Sequence, residues 1–243
     1  MTPLMPAMLT VDAIDVFIQA SHILRAVSLE VGEREVACLV GRNGAGKTTT
    51  LRTIMGYLRP RAGRVALAGQ PIHGRRTHEI AMLGVGFAPE ESAIFADLSV
   101  AENIAISTWT RPTARPAEAR IEQAYEVFPT LRGYRARGGA QLSGGERKML
   151  SIARALALDP ELLLLDEPFE GLAPAIIPTI ADSIAAIAQK LGRAILIAES
   201  NIHHVPEYTS RLYVIERGEI VFAGSPHDAR RDRSLARIIG GSA

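Results

Sequence analysis

The ten residues "GRNGAGKTTT", Gly41 to Thr50, constrain the fold of this chain more than any other segment. They match the pattern G-x-x-x-x-G-K-[ST] through Gly41, Gly46, Lys47 and Thr48. The apolar run "EVACLV" precedes them, and "LRTIMGYL", with helical apolar spacing, follows. This order of strand, loop and helix predicts backbone N–H groups that converge on phosphate oxygens. The alternative is an ordinary glycine-rich turn, which the flanking strand and helix disfavour.

The predicted phosphate loop indicates ATP and Mg²⁺ as cofactors. The side chain of Lys47 would bridge the β and γ phosphates, and the hydroxyl of Thr48 would ligate Mg²⁺. The residues expected to contact the nucleotide here are consecutive: Gly41, Arg42, Asn43, Gly44, Ala45, Gly46, Lys47, Thr48 and Thr49.

A second signal is "LLLLDEP", where an apolar strand ends in Asp166 and Glu167. Carboxylates at the carboxyl end of a strand lie where open α/β sheets bind ligands. Asp166 can hold Mg²⁺ through its water shell, while Glu167 can orient or deprotonate the attacking water. Alone, the pair is more often a solvated strand end. The phosphate loop in the same chain favours the catalytic interpretation.

A third signal is "LSGGE", which precedes the helical pattern "RKMLSIARAL". Ser143, Gly144 and Gly145 would offer a hydroxyl and backbone N–H groups at a helix N-terminus, which suits a phosphate. A simple capped helix is the alternative. Since one nucleotide does not need two such sites in one subunit, we expect a head-to-tail dimer. Each ATP would then lie between the phosphate loop of one subunit and the "LSGGE" segment of its partner.

Near-continuous apolar runs, "EVACLVG", "ELLLLDE" and "RAILIAE", predict strands buried on both faces of a parallel sheet. Residues Leu9 to Val31 and Gly63 to Gly69 predict antiparallel strands, and Arg211 to Gly224 a hairpin that turns at Arg217-Gly218. We therefore expect an α/β fold: a P-loop NTPase core with a mainly parallel sheet, an N-terminal antiparallel β subdomain and an inserted helical subdomain. Residues 1–243 would form a single domain, with the helical insertion at about 92–157.

Composition excludes several classes of protein. A formal net charge of +1 argues against a nucleic-acid binder driven by bulk charge, so no nucleic-acid partner is expected. The only cysteine, Cys38, lies in an apolar run and is expected to be a buried, unreactive residue. "MTPLMPAMLT" lacks the basic start of a signal peptide, and no apolar stretch is long enough for a membrane helix. We expect a cytosolic chain that can dock on a membrane.

The ordered set "GRNGAGKTT", "LSGGE" and "LLLLDEP" resembles the ATP-binding subunit of ABC transporters over nearly the whole chain. Within that family, "FEGLAPAII", Glu90 in its context and "IIGG" resemble the branched-chain amino acid importer (LivF-like) branch. The resemblance implies a subunit bound peripherally at the cytoplasmic face of the inner membrane. Implied partners are two transmembrane permease subunits, an extracytoplasmic solute-binding protein and a second ABC ATPase subunit.

This sequence departs from the family pattern at several positions. Glu90 stands where relatives usually carry Gln, and we expect it to ligate Mg²⁺ or to sense the γ-phosphate. The aromatic residue that stacks on adenine aligns with Phe17-Ile18, and Ile18 takes its place unless Phe17 substitutes. The loop after the Walker B strand has Ala173 where Asp is common, so contacts across the dimer would use other residues, Glu170 among them.

The segment "ILIAESNIHH" resembles the strand end that carries a switch histidine in many relatives. Here that position is Ser200, and a serine should reach the γ-phosphate poorly, at best through a water. His203 and His204 come too late, and we expect them to be solvated or at an interface on a helix that begins near Asn201. The weakened catalytic position at Ser200 favours a heterodimer over a homodimer.

Two classes of function fit these features. The first is an ATPase that powers an ABC importer for branched-chain amino acids or related small polar solutes. Other ABC transporter ATPases, for a lipid-like, amide or urea substrate, are the alternative within that class. The second class is a soluble ABC ATPase that does not serve transport. Such proteins usually have two cassettes or a long coiled-coil insertion, and the sequence has neither.

Overall fold

The computed structural model describes residues 7–232 and 234–239. The start "MTPLMP" and the two glycines of "IIGG", Gly240 and Gly241, lie outside the described residues. The strands are β1 (Ala7–Ile18), β2 (Ser21–Gly32), β3 (Val36–Val40), β4 (Ala62–Leu67), β5 (Gln70–Pro71), β6 (Val85–Ala88), β7 (Leu162–Asp166), β8 (Ala194–Glu199), β9 (Arg211–Glu216) and β10 (Glu219–Gly224).

The α-helices of the described residues follow the same chain order. They are α1 (Lys47–Ile54), α2 (Thr77–Met82), α3 (Val100–Ser107), α4 (Ala117–Val127), α5 (Pro129–Gly133), α6 (Gly144–Ala157), α7 (Ile177–Gln189), α8 (Pro226–Arg231) and α9 (Ala236–Ile239). Short 3₁₀ turns occupy Gly139–Gln141 and Ile202–His204. Among the helices formed by residues 7–232 and 234–239, none combines the length and the apolar character needed to cross a membrane.

The chain divides into two compact units, one formed by Met1–Ile80 with Ala194–Ala243 and the other by Ala81–Arg193. The first unit contains the expected antiparallel sheet, with strand order β2-β1-β4-β5. Leu9 pairs with Val31 on one side and with Leu67 on the other. Alternate residues of β1 are buried on each side of a register shift, Leu9 and Val11 before it and Ile14 and Val16 after it, as expected for a sheet with one face on a hydrophobic core.

A second group of strands in the first unit carries the phosphate loop. Strand β3 lies between β8 and β9 and is parallel to both, and β10 pairs antiparallel with β9. All five residues of β3 and all six of β8 are buried, which explains why their sequences lack an alternation of polar and apolar residues. The predicted hairpin is confirmed, and Arg217 (φ 48°) and Gly218 (φ 83°) form its left-handed turn.

The second unit combines the parallel pair β6–β7 with helices α3 to α7. The predicted helical insertion is observed, but its first helix begins at Val100 rather than near residue 92. Residues before it form a loop in which Ser92 and Ala93 have positive φ angles. The buried amide of Asn103 holds this loop: its Nδ2 donates to the carbonyls of Phe95, Leu98 and Ser99.

Candidate nucleotide site

The phosphate loop lies at the carboxyl end of β3 in the first unit, and α1 follows it directly. The helix begins at Lys47, four residues earlier than the apolar spacing of "LRTIMGYL" indicates. Gly46 caps it with φ 117°, in the left-handed region that favours glycine. The first turn of an α-helix directs its amide N–H groups and the positive end of its dipole outward, where an anion can bind. The loop therefore has the backbone chemistry of a phosphate cradle.

Close packing against backbone requires glycine at position 41, and the left-handed φ angle favours it at position 46. A Cβ atom on Gly41 would lie 2.3 Å from the carbonyl oxygen of Ile215, and one on Gly46 would lie 2.7 Å from Cδ2 of Leu24. Gly41 N–H also donates to the carbonyl of Glu199, at 3.1 Å. The start of the loop is thus held between strands β8 and β9, with no room for a side chain.

The ammonium of Lys47 is oriented by the loop that surrounds it. Its Nζ donates to the carbonyls of Gly41 (2.8 Å) and Arg42 (3.3 Å), and the side chain is only 4% exposed. Arg42, Asn43 and Gly44 are exposed, whereas Ala45 and Gly46 are buried, as are Lys47 and Thr50. Thr48 and Thr49 are half-buried in the first turn of α1. This arrangement leaves the tip of the loop accessible to a ligand.

Strand β8 brings Ser200 beside the phosphate loop. Val40 of β3 pairs with Glu199 of β8, so Ser200 follows β8 where the loop follows β3. The helix expected near Asn201 is a single 3₁₀ turn, and the Asn201 side chain caps it by accepting from the His203 N–H at 2.9 Å. His203 is exposed, whereas Nδ1 of His204 lies 3.4 Å from the buried carboxylate of Glu199. The sequence pattern did not reveal this contact.

The residues aligned with the adenine position also lie in the first unit. The Phe17 ring stacks on His22, with centroids 4.2 Å apart and an interplanar angle of 8°. The Arg61 guanidinium lies 5.0 Å from the centroid of Phe17. Ile18 is 43% exposed, so its side chain can offer an apolar contact to a base. The assignment of Phe17 and Ile18 to adenine stays a prediction.

In the second unit, Asp166 ends strand β7 and Glu167 follows it. Both carboxylate side chains are buried, at 1% and 3% exposure. Glu167 has φ 47°, a left-handed conformation that costs energy in a residue with a side chain. Strain of this kind concentrates at functional sites, where the surrounding structure holds the backbone in place. Because both side chains are buried, the alternative of a solvated strand end is wrong for this pair, and the metal and catalytic roles of Asp166 and Glu167 stay predictions.

The loop that carries Glu90 lies beside the Asp166–Glu167 segment. Strands β6 and β7 are parallel neighbours, with Ala88 paired to Leu165, so both segments leave the same edge of this strand pair. Glu90 is exposed, and its carbonyl accepts a 2.7 Å hydrogen bond from Nζ of Lys148. The same Nζ donates to the carbonyl of Glu167 at 3.1 Å. The sequence analysis did not single out Lys148. The signal that could have identified it is a lysine on the otherwise apolar face of helix α6.

The "LSGGE" segment begins helix α6 with a capping box. The Ser143 hydroxyl accepts from the Glu146 N–H, and the Glu146 carboxylate accepts from the Ser143 N–H at 2.7 Å. The hydrogen bond from the Ser143 backbone lowers the pKa of Glu146 below its ordinary value. Space around Gly144 is open, whereas a Cβ on Gly145 would lie 2.9 Å from Ile176. The capped helix is observed, and the binding of a partner's nucleotide by Ser143, Gly144 and Gly145 stays a prediction.

The donor chemistry suits a Mg²⁺ ion that binds together with nucleotide phosphates. Within residues 7–232 and 234–239, no group of three or more His, Cys, Asp or Glu side chains is arranged to hold a metal. Mg²⁺ usually takes only one or two protein oxygens and completes its shell with waters and phosphates. The Thr48 hydroxyl and the carboxylates of Asp166 and Glu90 are oxygen donors of the kind that Mg²⁺ accepts, and their assignment to Mg²⁺ stays a prediction.

Comparisons with known proteins agree with these features. Residues 24–170 match the family model described as "ABC transporter". The lipopolysaccharide export system ATP-binding protein LptB of Haemophilus influenzae is 33% identical, and the match covers 96% of each chain. The probable branched-chain amino acid transport ATP-binding protein LivF of Archaeoglobus fulgidus is 32% identical, over 90% of this chain and 93% of the relative.

A solved structure shares the fold over almost the full length. It is the ADP conformation of an ATP-binding cassette of an ABC transporter, with a TM-score of 0.84 and 24% identity, covering 97% of this chain and 99% of the other. The matched family region begins within β2 and extends through the phosphate loop, the "LSGGE" helix and Glu167. With these motifs in place and relatives matched over nearly their full length, this chain belongs to the ABC transporter family, as an ATP-binding cassette.

Proposed function

We propose that this ABC ATPase powers an importer of branched-chain amino acids or related small polar solutes. Members of the family hydrolyse ATP to power transport, and the phosphate loop at Gly41–Thr48 is the observation that carries the ATPase activity. The choice of solute rests on the LivF relative and on two segments, Glu90 in its context and "FEGLAPAII". Residues 1–243 would act as a single ABC ATPase domain.

In this proposal the phosphate loop binds the nucleotide through its backbone and Lys47. The nine residues from Gly41 to Thr49 surround the phosphates, and Lys47 positions its charge between the β and γ groups. Phe17 and Ile18 contact the adenine. Thr48, Asp166 and Glu90 would hold a Mg²⁺ ion, which would supply positive charge to neutralise the phosphates.

Glu167 is the proposed catalytic base. Its carboxylate accepts the proton of the attacking water, and burial keeps competing solvent away from that carboxylate. Ser200 contacts the γ-phosphate only weakly, because its hydroxyl is shorter than the imidazole found in relatives. Ser143, Gly144 and Gly145 face the ATP of a second subunit, with the α6 N-terminus providing N–H groups.

The assembly we propose places the chain peripherally at the cytoplasmic face of the inner membrane. It pairs with a second ABC ATPase, two transmembrane permease subunits and an extracytoplasmic solute-binding protein. Ser200, Ile18 and Ala173 support a heterodimer, since each departs from the family pattern at a position that serves the nucleotide or the dimer contact. The exposed positions of Ile18 and Ala173 are compatible with contacts to a second subunit.

A second candidate is favoured by the LptB relative, which is as similar to this chain as LivF is. In that case the chain would power the export of a lipid-like substrate. The two candidates differ in the permeases that the ATPase binds and in the direction of transport. The ATPase sequence alone does not name the solute, because the solute binds to the other subunits.

The test is reconstitution with the permeases encoded beside this chain, in proteoliposomes that contain ATP. With the cognate solute-binding protein added outside, radiolabelled leucine or a small amide should accumulate inside, and Glu167→Gln should abolish uptake while the complex still assembles. Extraction of a lipid-like molecule from the membrane, without solute uptake, would replace the import proposal with export. Absence of ATP hydrolysis by every assembled complex would overturn both candidates.

A further inference from the structure

Lys148 is a buried charge on the apolar face of helix α6. It lies in the second turn of α6, and its exposure is 5%. At helical spacing it shares a face with Ile152 and Ala155, both of which are buried. A buried ammonium is costly unless hydrogen bonds replace its water. The position of Lys148 therefore needs a reason beyond packing.

Two hydrogen bonds supply that reason. Nζ of Lys148 donates to the carbonyl of Glu90 at 2.7 Å and to the carbonyl of Glu167 at 3.1 Å. One carbonyl belongs to the loop after β6, and the other to the residue just after β7. A single side chain from α6 thus ties together the two backbone segments that leave this pair of strands.

The bond to Glu167 acts where the backbone is strained. Glu167 has φ 47°, a conformation that residues with a side chain rarely adopt. A charge-assisted hydrogen bond to its carbonyl stabilises the peptide plane in that orientation. The Cα atom of Glu167 is bonded to both this carbonyl carbon and Cβ. The orientation of the peptide plane therefore also affects the direction of the Glu167 side chain.

The use of lysine at this position is itself informative. Only three of the 27 basic residues Lys and Arg are lysines, at positions 47, 148 and 190. Lys190 is exposed, whereas Lys47 and Lys148 are both buried and both donate to backbone carbonyls of loops. A compact ammonium with three rotatable N–H donors can point at two converging carbonyls, whereas the donors of a guanidinium are fixed in one plane, so Arg should replace it only in part. Two of the three lysines of this arginine-rich chain therefore share one role, donation from a buried ammonium to backbone carbonyls.

We propose that Lys148 is a positioning residue for hydrolysis, which holds the Glu167 backbone and the Glu90 loop in a fixed relation. It acts through the carbonyls of Glu90 and Glu167. Movement of the Glu90 loop is thereby transmitted to Glu167 through one ammonium group. This role rests on the proposed ATPase mechanism, in which Glu167 is the base.

The test measures ATP hydrolysis by Lys148→Met, whose side chain has a similar length but no hydrogen-bond donor. Lys148→Arg restores donors at the same position. Lys190→Met is the matched control, because it removes an exposed lysine. In Lys148→Met we expect kcat to fall about 10- to 100-fold, as for a displaced catalytic group. KM for ATP should change by less than about threefold, since the phosphate loop is intact. Lys148→Arg should recover part of kcat, and Lys190→Met should match the parent.

A second readout needs neither nucleotide nor activity. In the nucleotide-free chain, amide hydrogen exchange of Lys148→Met should be faster by at least about fivefold in residues 88–95 and 165–171, and unchanged in α4. Lys148→Gln, which keeps a neutral donor, replaces Lys148→Met if the latter does not fold. Unchanged exchange in both segments, equal acceleration in α4, or a parental kcat would each overturn the proposal. If the parent chain hydrolysed no ATP, the proposed ATPase mechanism would be wrong. The hydrogen-exchange measurement would still decide whether Lys148 holds the two segments.

Discussion

Replacing Gly41 by alanine tests how tightly the phosphate loop is held. The added Cβ would lie 2.3 Å from the Ile215 carbonyl oxygen, 2.8 Å from Cγ2 of the same residue and 3.1 Å from Cβ of Ala45. Reaching even 3.0 Å from the oxygen requires a shift of at least about 0.7 Å, and the obstacle is the backbone of a central strand. Strand β9 is held by its pairing with β3 and β10, so we expect the loop to move away from Ile215.

Such a shift has consequences for stability and for binding. Overpacking in a close-packed region costs about 1–3 kcal/mol, which for a chain of this size lowers Tm by roughly 2–12 °C. Movement away from Ile215 also strains the 3.1 Å hydrogen bond from Gly41 N–H to Glu199. The amides that follow would leave the positions from which they converge on phosphate. We expect the affinity for ATP to fall by about tenfold or more, equivalent to about 1.4 kcal/mol.

The assay is titration with a fluorescent ATP analogue, together with differential scanning calorimetry. Gly133→Ala is the matched control, because a Cβ there meets nothing within 4 Å and the residue has no positive φ. This control should bind ATP like the parent and be as stable or slightly more stable. If Gly41→Ala kept the parental Kd and Tm, the close packing of the loop against β9 would not constrain it as the structure indicates.

Three further predictions concern the chemistry of the chain. Glu167→Gln should retain ATP affinity while kcat falls by about 10²- to 10³-fold; rapid hydrolysis by this variant would remove Glu167 as the base. Ser200→His should raise the turnover of the purified chain by about tenfold or more, because an imidazole adds a hydrogen-bond donor to the γ-phosphate; no gain, or vigorous hydrolysis by the parent alone, would refute a weakened site. Burial raises the pKa of the Cys38 thiol from 9.0 to about 12, so iodoacetamide at pH 8 should label the native chain about 10³-fold more slowly than the urea-unfolded chain. The same shift means that the stabilisation contributed by neutral Cys38 is present below pH 9 and is lost as pH rises from 9 to about 12.

Local sequence was sufficient for the elements that carry the site. The strand before the phosphate loop, the helix after it and the hairpin at Arg217-Gly218 all follow from the order of apolar residues and glycines. The helix N-terminus at Ser143 was also predicted, and the structure adds a capping box with Glu146, three residues away. In each case the interactions that decide the structure lie within a few residues, so a short window of sequence contains them.

The boundaries of the helical insertion show where local pattern stops being sufficient. Residues 92–99 have a composition compatible with a helix, yet the chain forms a loop there. The side chain of Asn103 accepts from and donates to the backbone of that loop, in which Ala93 and Ser92 have positive φ. A buried amide that satisfies several backbone groups outweighs a weak helical preference.

The sequence by itself determined that this chain has an ATP-binding cassette with its three motifs in order, because each motif is a short run of residues with its own backbone chemistry. Tertiary structure alone decided what holds those motifs in place. Lys148 donates to a carbonyl 58 residues away, and Gly41 is confined by Ile215 from a distant strand. Contacts between residues so far apart arise only when strands pair and helices pack, and no local pattern of apolar and polar residues contains that information.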